Sequence, residues 1–140
     1  MEENPRISHS EWLVMKVIWS SPPIAYQEVS ERLAGSTGWK PKTVQTLLRR
    51  LVAKRVLDYQ ARGRSHYYFA KVDEEDCIEA EGKSFLQRCF GGGVKPMLAH
   101  FVRKEDLSPE EIDDLMRMLS EKRKRARRVS PATSNRFSAG

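Results

Sequence analysis

Apolar side chains recur at helical spacing through residues 39–54, and the polar side chains between them gather on the opposite face. The apolar positions are Val44, Leu47, Leu48, Leu51 and Val52. They fall on one side of a helix that turns about 100° per residue. The other side carries Lys42, Thr46, Arg49 and Ala53, flanked by Thr43, Gln45 and Arg50. The pattern predicts an amphipathic helix with Lys40 at its N-cap and Pro41 at its first position, and with no acid on its polar face.

This polar face has two interpretations. Arginine and lysine can bind phosphates or guanine edges, glutamine can read adenine, and a threonine methyl can contact thymine, so the face suits a DNA major groove. An ordinary surface helix would also present a solvated basic face. The next stretch favours DNA, because two aromatic and β-branched runs (56–60 and 66–70) flank a glycine turn and predict a β-hairpin with Arg62 and Arg64 at its tip. A charged tip kept for solubility is the alternative.

Two helices precede the basic one. Ser8 and Glu11 have the spacing of a capping box that starts the first, which the run at 20–23 stops. The second is predicted from Tyr26 to Ala34, with Gly35 just after its end. Three helices and a basic hairpin predict a winged helix-turn-helix domain over residues 1–72, with the third helix in the major groove and the hairpin as the wing.

Residues 73–122 predict three further helices with apolar stripes. The stripe residues are Ile78, Phe85, Leu86, Phe90, Leu98, Phe101, Ile112, Leu115, Met116 and Leu119. Segments this short bury little apolar surface alone, since chains below about 40 residues usually need help to fold. We expect a second copy to cover the stripes, although packing against the winged domain of the same chain is an alternative. The predicted fold is thus mostly α with a small β-hairpin wing, in which a winged helix-turn-helix domain precedes a three-helix dimerisation domain.

Charge divides the chain in the same places. The net charge is +6 and the pI about 9.5, which favours a polyanionic partner. Residues 1–72 sum to +6, residues 73–120 to −6, and residues 121–140 to +6. The tail, 123–140, is predicted to be disordered, and its basic run either adds nonspecific DNA affinity or is a solvated end. No apolar run is long enough for a membrane span or signal peptide, so we expect a cytoplasmic protein with no membrane insertion.

The sequence offers little for catalysis. His9, His66 and His100 are scattered, and no glycine-rich phosphate loop, carboxylate pair or metal-ligand spacing appears, so we expect neither an enzyme nor a metal or cofactor. Cys77 and Cys89 lie too far apart on one predicted helix to bridge within it, and two reduced, half-buried thiols are expected. A disulfide or thiol sensor across a dimer, or a site built there from both cysteines and His100, are the alternatives.

Several motifs coincide with those of a known family. They are Ile7–Trp19 for a first helix, Trp39–Leu51 for a recognition helix, Tyr67 and Tyr68 for a wing, Gly91–Gly93 near a glycine pair, and Phe101–Ser108 for a helical domain. From Ile7 to Leu119 the chain resembles the BlaI/MecI family, the penicillinase and methicillin-resistance repressors of bacteria. The resemblance implies a homodimeric repressor on a palindromic double-stranded operator, with Lys42, Thr43, Thr46 and Arg50 in DNA-facing positions.

The resemblance also implies a mode of release. In antibiotic-responsive members a membrane sensor pathway leads to cleavage before the phenylalanine that matches Phe101. Those members have Asn-Phe where this chain has His100-Phe101, which argues against cleavage by the same sensor. Lys40 replaces the family's usual N-cap serine. The C-terminal cysteine cluster of the copper-responsive branch is missing, which argues against copper sensing.

These observations give one leading hypothesis, a dimeric repressor of a β-lactamase-type resistance gene or a cell-envelope stress gene. Thr43, Thr46 and Arg50 would read bases, while Lys40, Lys42, Arg49, Arg62 and Arg64 would mainly bind phosphates. A regulatory protease or sensor pathway would act on it. The competing hypotheses are a winged-helix adaptor that binds a partner protein and a DNA-architectural protein without sequence preference.

Overall fold

The computed structural model describes the backbone of residues 6–139 and the side chains of residues 6–128. The elements follow in the order α1 (His9–Ser20), β1 (Ile24–Ala25), α2 (Tyr26–Thr37), α3 (Pro41–Ala53), β2 (Leu57–Arg62), β3 (Ser65–Ala70), α4 (Glu74–Phe90), α5 (Val94–Lys104) and α6 (Pro109–Ala139). The mostly helical fold with a small β-hairpin is confirmed. The chain forms two compact units, one ending at Gly92 and one beginning at Gly93. The domain boundary expected between residues 72 and 73 therefore falls inside the first unit.

The predicted capping box starts α1. The Ser8 hydroxyl accepts a hydrogen bond from the Glu11 amide at 3.2 Å, and the Ser8 amide donates to the Glu11 carboxylate at 2.9 Å. Both amides would otherwise lack a partner at the helix start. The helix buries Val14, Met15 and Ile18 completely. This makes α1 the central helix of the first unit.

Helix α2 is three residues longer than the sequence indicated. Gly35 lies inside the helix, and Gly38, with a φ of 75°, is the residue that ends it in the left-handed conformation. Thr37 stabilises the last turn, since its hydroxyl donates to the Leu33 carbonyl at 2.6 Å and accepts from the Trp39 amide at 3.0 Å. The prediction that α2 ends at Ala34 was wrong because a glycine is tolerated within a helix for about 1 kcal/mol.

The predicted apolar face of α3 packs into the core. Val44, Leu47, Leu48 and Leu51 are buried, and Val52 lies at the edge of the same cluster. The cluster also takes in residues of α1, α2 and β2. Because four of its side chains are fixed there, α3 has a single orientation and presents its polar face to solvent.

The hairpin extends the core as a three-stranded sheet in the order β1-β3-β2. In the antiparallel pairing of β2 with β3, Tyr59 lies opposite Tyr68 and Arg62 opposite Ser65. Strand β1 was not predicted. It pairs Ile24 with Tyr68 and Ala25 with Tyr67, which attaches the hairpin to the start of α2. The wing is therefore anchored to the helix-turn-helix rather than projecting from it alone.

Helix α4 belongs to the first unit. The Trp19 indole donates to the Val72 carbonyl at 3.2 Å just before α4, and Lys16 pairs with Glu74 at 2.7 Å. Cys77 is buried. Gly82 lies within the helix, and Gly91, with a φ of 61°, ends it. The first unit thus contains one helix more than the predicted winged domain.

The second unit contains α5 and α6. A second capping box starts α6, in which the Ser108 amide donates to Glu111 at 3.0 Å and the Glu111 amide donates to Ser108 at 3.1 Å. The backbone is helical to Ala139, and Gly140 lies outside the described residues; the disorder expected of residues 123–140 stays a prediction. Lysine, arginine, glutamate and alanine all favour helix, which explains the continuation through residue 128. None of the described helices is long and apolar enough to cross a membrane.

Candidate nucleic-acid interface

The polar face of α3 is open to solvent. Lys42, Thr43, Gln45, Arg49 and Arg50 are exposed, and Thr46 is half-buried among them. The Thr46 hydroxyl donates its proton to the Lys42 carbonyl at 3.1 Å, so its oxygen can still accept a hydrogen bond and its methyl group can make apolar contacts. The face can therefore supply cations that bind phosphates, an amide that can pair with adenine, and a methyl group that can contact the methyl group of thymine.

A buried ion pair fixes the far end of α3. The carboxylate of Glu11 is only 2% exposed and contacts the Lys54 ammonium at 2.6 Å. The same ammonium donates to the Arg6 carbonyl at 2.8 Å. Burial alone would raise the pKa of Glu11, but the hydrogen bonds from Lys54 and Ser8 together outweigh it and hold that pKa below 4.5. Glu11 is thus ionised at neutral pH and connects the start of α1 to the end of α3.

The near end of α3 is braced by α2 and left open to ligands. The Tyr26 hydroxyl donates to the Pro41 carbonyl at 3.1 Å. Lys40 occupies the N-cap position in extended conformation, and its side chain makes no capping hydrogen bond. The amides of the first turn therefore keep their affinity for an anion, and the exposed ammonium of Lys40 adds to it.

One depression, of about 430 Å³, separates α3 from the wing. Its walls include Gln45 of α3, Tyr26 and Gln27 of α2, and Arg64 and His66 of the hairpin. The structure thus brings Arg64 beside α3. Gln45, Gln27 and Tyr26 are additions to the predicted site. Gln45 was visible on the shoulder of the polar face, whereas the other two depend on how α2 packs.

A second depression, of about 310 Å³, lies on the opposite side of α3. Its lining residues are Ser10, Trp39, Thr43, Thr46, Leu47 and Arg50. Three predicted base-reading residues therefore share one concave surface. Ser10 reaches it from the first turn of α1, and no sequence pattern pointed to that residue.

The two arginines at the wing tip differ. The Arg62 guanidinium lies 4.8 Å from the centre of the Tyr67 ring and donates to Gln60 at 3.1 Å, so it is held along the strand. Arg64, in the turn, lines the depression next to α3. On the other face of the hairpin, Tyr59 stacks on His66 with ring centres 4.1 Å apart. The wing is thus stiffened by ring contacts, and Arg64 is the tip arginine that faces the α3 side.

Arg49 lies on the wing side of α3. Burial raises the pKa of Tyr68 above 10.0, the neighbouring Tyr59 adds to the shift, and the positive charge of Arg49 opposes it. Arg49 therefore acts electrostatically on the sheet, while Arg50 lines the depression on the other side. The two adjacent arginines flank the helix rather than sharing one contact.

The predicted dimerisation residues fall into two groups. Phe85, Leu86 and Phe90 of α4 are half-buried, whereas Ile78 of that helix is exposed. The α5 and α6 members are all exposed: Leu98, Phe101, Ile112, Leu115, Met116 and Leu119. No residue of α5, from Val94 to Lys104, is buried. The bond between His100 and Phe101 lies within α5, and the two rings meet edge-to-face 5.0 Å apart.

Both cysteines are free thiols, and they differ. Cys77 is buried and Cys89 is exposed, which corrects the expectation of two half-buried thiols. Burial raises the pKa of Cys77 above 9.0, and the nearby carboxylates of Asp76, Asp73 and Glu74 add to that shift. Cys77 therefore stays protonated and unreactive at neutral pH. Within the described part of the chain, no group of three or more His, Cys, Asp or Glu side chains could hold a metal ion.

Comparison with known proteins decides the family. The sequence model of the penicillinase repressor family matches residues 7–121. This chain belongs to that family. Its relatives include the penicillinase repressor of Bacillus licheniformis, 40% identical over 125 residues, which cover 89% of this chain and 98% of that protein. The methicillin resistance regulatory protein MecI of Staphylococcus aureus strain N315 is 34% identical over 116 residues, covering 83% of this chain and 94% of that protein.

A solved structure agrees with the fold of the first unit. The solution structure of the DNA binding domain of the repressor BlaI matches with a TM-score of 0.50 and 42% sequence identity, and the match covers 54% of this chain and 93% of that one. Members of the penicillinase repressor family are DNA-binding transcriptional regulators, not enzymes. The resemblance to BlaI and MecI and the winged-helix fold are therefore confirmed, and the enzymatic alternative is excluded.

Proposed function

We propose that the protein is a sequence-specific repressor that binds a palindromic operator as a homodimer. Helix α3 enters the major groove, and the wing contacts the flanking backbone or minor groove. The observation that carries this proposal is the acid-free face of α3, on which Thr43, Thr46 and Arg50 share one depression while Arg64 adjoins the other side. A fixed helix with cations on both flanks and small hydroxyl residues between them matches a recognition helix.

The proposed roles follow from position. Thr43, Thr46 and Arg50 read base edges, because they line one depression on the polar side of α3. Lys40, Lys42, Arg49, Arg62 and Arg64 bind mainly phosphates. Gln45 joins the base-reading group, since its amide lies at the wing side of the same face. Arg62 contributes less than Arg64, because Tyr67 and Gln60 already hold its guanidinium.

Dimerisation rests on the second unit. Leu98 and Phe101 of α5 and Ile112, Leu115, Met116 and Leu119 of α6 remain exposed in one chain. Contiguous exposed apolar surface marks an interaction site. A second copy of the chain supplies the matching apolar face under twofold symmetry, and two recognition helices then reach half-sites about 34–36 Å apart.

The regulated gene and the release step belong to the same proposal. The names of the relatives make a β-lactamase-type resistance gene, or a cell-envelope stress gene, the first target to test. Cleavage between His100 and Phe101 would separate the winged domain from α6 and thereby weaken DNA binding. Because this bond lies within helix α5, a regulatory protease needs α5 to unwind locally before it can bind the chain.

The experiment that tests the proposal is selection of genomic fragments by the purified protein, followed by titration of the selected duplex at two salt concentrations. We expect one palindromic sequence, bound by two chains, and genes next to it that identify the signal. Binding that depends on salt but not on sequence would support the architectural alternative. Absence of duplex binding would support the protein-interaction adaptor.

Substitutions assign the roles within α3. Arg50→Ala should cost about 1–3 kcal/mol on the selected operator and relax the preference at one base pair. Lys42→Ala should weaken binding to all duplexes alike and lower the slope of log K against log salt by about 1 for each chain of the dimer. Lys83→Ala, an exposed lysine of α4, is the control and should change neither. Unchanged operator affinity in Arg50→Ala would show that the register assigned to α3 is wrong.

A further inference from the structure

The basic segment of α6, residues 122–128, continues the helix past the end of the family match at residue 121. Six of its seven residues are lysine or arginine, and none is acidic. All seven side chains are exposed. This segment is therefore a feature of the chain that the properties of the shared family region do not explain.

Its cations surround the helix. With about 100° of rotation per residue, Lys122, Arg123, Lys124 and Arg125 point in four different directions, and no apolar stripe remains between them. The segment therefore cannot pack one face onto a core. A ligand for it must itself carry several negative charges over a length of about two helical turns.

One acid of the same helix, Glu121, borders the segment, and its single charge can offset only one of the six cations; the other acids of α6 lie further away. Glu110, Glu111, Asp113 and Asp114 are in the first turns of α6, and Asp114 pairs with Arg117 at 2.9 Å. Asp114 and Lys122 are eight residues apart, which is about 12 Å along a helix. Among the residues that the structure describes, no carboxylate forms an ion pair with Lys122, Arg123, Lys124 or Arg125.

We infer that the basic segment of α6 is a second DNA-binding surface, which contacts the phosphate backbone without reading sequence. Duplex DNA carries one negative charge per about 1.7 Å, which matches closely spaced cations on several helix faces. The segment contains no Asn, Gln, Ser or Thr. Apart from its lysines and arginines, it therefore has no side chain of the kind that pairs with base edges. The inference rests on the proposed function, since it adds a second surface to a protein already bound through α3.

The test compares two variants of the full-length protein in which the same number of positive charges is removed. The tail variant carries Lys122→Gln, Arg123→Gln, Lys124→Gln and Arg125→Gln, and glutamine keeps a similar helix propensity. The control variant carries Lys83→Gln, Arg88→Gln, Lys95→Gln and Lys104→Gln, all exposed positions of α4 and α5. Binding to the selected operator and to a random duplex of equal length is measured over a series of KCl concentrations, and sedimentation equilibrium gives the oligomeric state of each protein without DNA.

In the tail variant, the slope of log K against log salt should fall by about 0.9 for each phosphate that the protein no longer neutralises. If each chain of a dimer neutralises four phosphates through these side chains, the slope should fall by up to about 7. Affinity for both duplexes should fall at least about ten-fold at low salt, with the preference for the operator unchanged. The control variant should keep a slope close to that of the wild type.

Three results would overturn the inference. A slope equal to that of the control variant would show that the segment does not bind DNA. Dissociation of the tail variant into monomers without DNA would show that the cations bind acidic residues of the partner chain instead. Absence of duplex binding by the wild type would overturn both the proposed function and this inference. Operator binding with an unchanged salt slope in the tail variant would overturn this inference alone.

Discussion

The two compact units differ in how they bury their apolar residues. In the first, side chains from α1, α2, α3 and the sheet form one closed cluster, and Val14, Leu48 and Leu51 have no exposed surface. In the second, Leu98 is 42% exposed and Leu119 is 59% exposed. Both units have clear caps and amphipathic helices, so local signals do not distinguish them.

The difference lies in the number of layers. An amphipathic helix needs a second apolar surface to cover its stripe, and the first unit provides several from its own chain. The second unit has two helices, α5 and α6, and their stripes stay open. The type of surface that each unit has available for binding follows from whether its apolar stripes are covered. In the proposed function, the first unit binds DNA through its polar exterior, whereas the second forms the subunit interface through its apolar exterior.

The strongest test of the comparison is the same substitution in both units. Leu48→Ala should lower the free energy of unfolding by about 2–5 kcal/mol, because it creates a cavity in a closed core. Leu119→Ala should have an effect that grows with protein concentration, since it acts through the dimer. Urea denaturation at two protein concentrations checks both. A destabilisation below about 1 kcal/mol for Leu48→Ala would mean that the core is loosely packed.

The next test addresses the open stripe directly. Leu119→Asp should raise the dissociation constant of the dimer at least about 30-fold, corresponding to about 2 kcal/mol, because it buries a carboxylate in an apolar interface. Met118→Asp is the control, since Met118 is similarly exposed but lies about 100° around α6 from Leu119. Sedimentation equilibrium measures both. Equal effects of the two substitutions would show that the stripe assigned to the interface does not form it.

Local signals predicted the helices that matter for binding. Pro41 and the spacing of Val44, Leu47, Leu48 and Leu51 fixed the start and the inward face of α3, and the glycine turn fixed the hairpin. The capping box predicted at Ser8 is present. In each case the signal lies within a few residues, where backbone geometry and side-chain chemistry decide the outcome.

Tertiary packing determines the features that local sequence patterns did not predict. Strand β1 has two residues, too few for a pattern, and exists because β3 offers an edge to Ile24 and Ala25. Gly35 and Gly38 both resemble helix ends, and the hydrogen bonds of Thr37 select the second. The ion pair of Glu11 with Lys54 joins residues 43 apart in sequence, so the capping role of Glu11 was predictable and its second role was not.

The ion pair between Glu11 and Lys54 predicts the pH range in which the folded protein loses stability. Because the folded state holds the pKa of Glu11 below 4.5, its ionised form stabilises the protein above that pH, and the stabilisation is lost as pH falls through the lowered pKa. Glu11→Gln should therefore cost about 1–3 kcal/mol at pH 7 and reduce the loss of stability on acidification.

The matched control is Glu111→Gln, which changes the same capping position where the side chain is exposed. It should cost only a few tenths of a kcal/mol, since it keeps an acceptor for the Ser108 amide. Thermal unfolding between pH 3 and pH 7 follows both variants. Equal pH profiles for Glu11→Gln and the wild type would show that the Glu11–Lys54 pair does not control acid stability.

The smallest effect is expected at the start of α3, where stability and binding oppose each other. Lys40 makes no capping hydrogen bond, and a serine there could accept one from the first turn. Lys40→Ser should therefore raise the free energy of unfolding by up to about 1 kcal/mol while weakening binding to every duplex alike and lowering the salt slope by about 1 per chain. Calorimetry and salt-dependent titration separate the two effects. If Lys40→Ser stabilised the protein and left DNA affinity unchanged, Lys40 would not bind phosphate, and its place at the N-cap would have no explanation in the proposed interface.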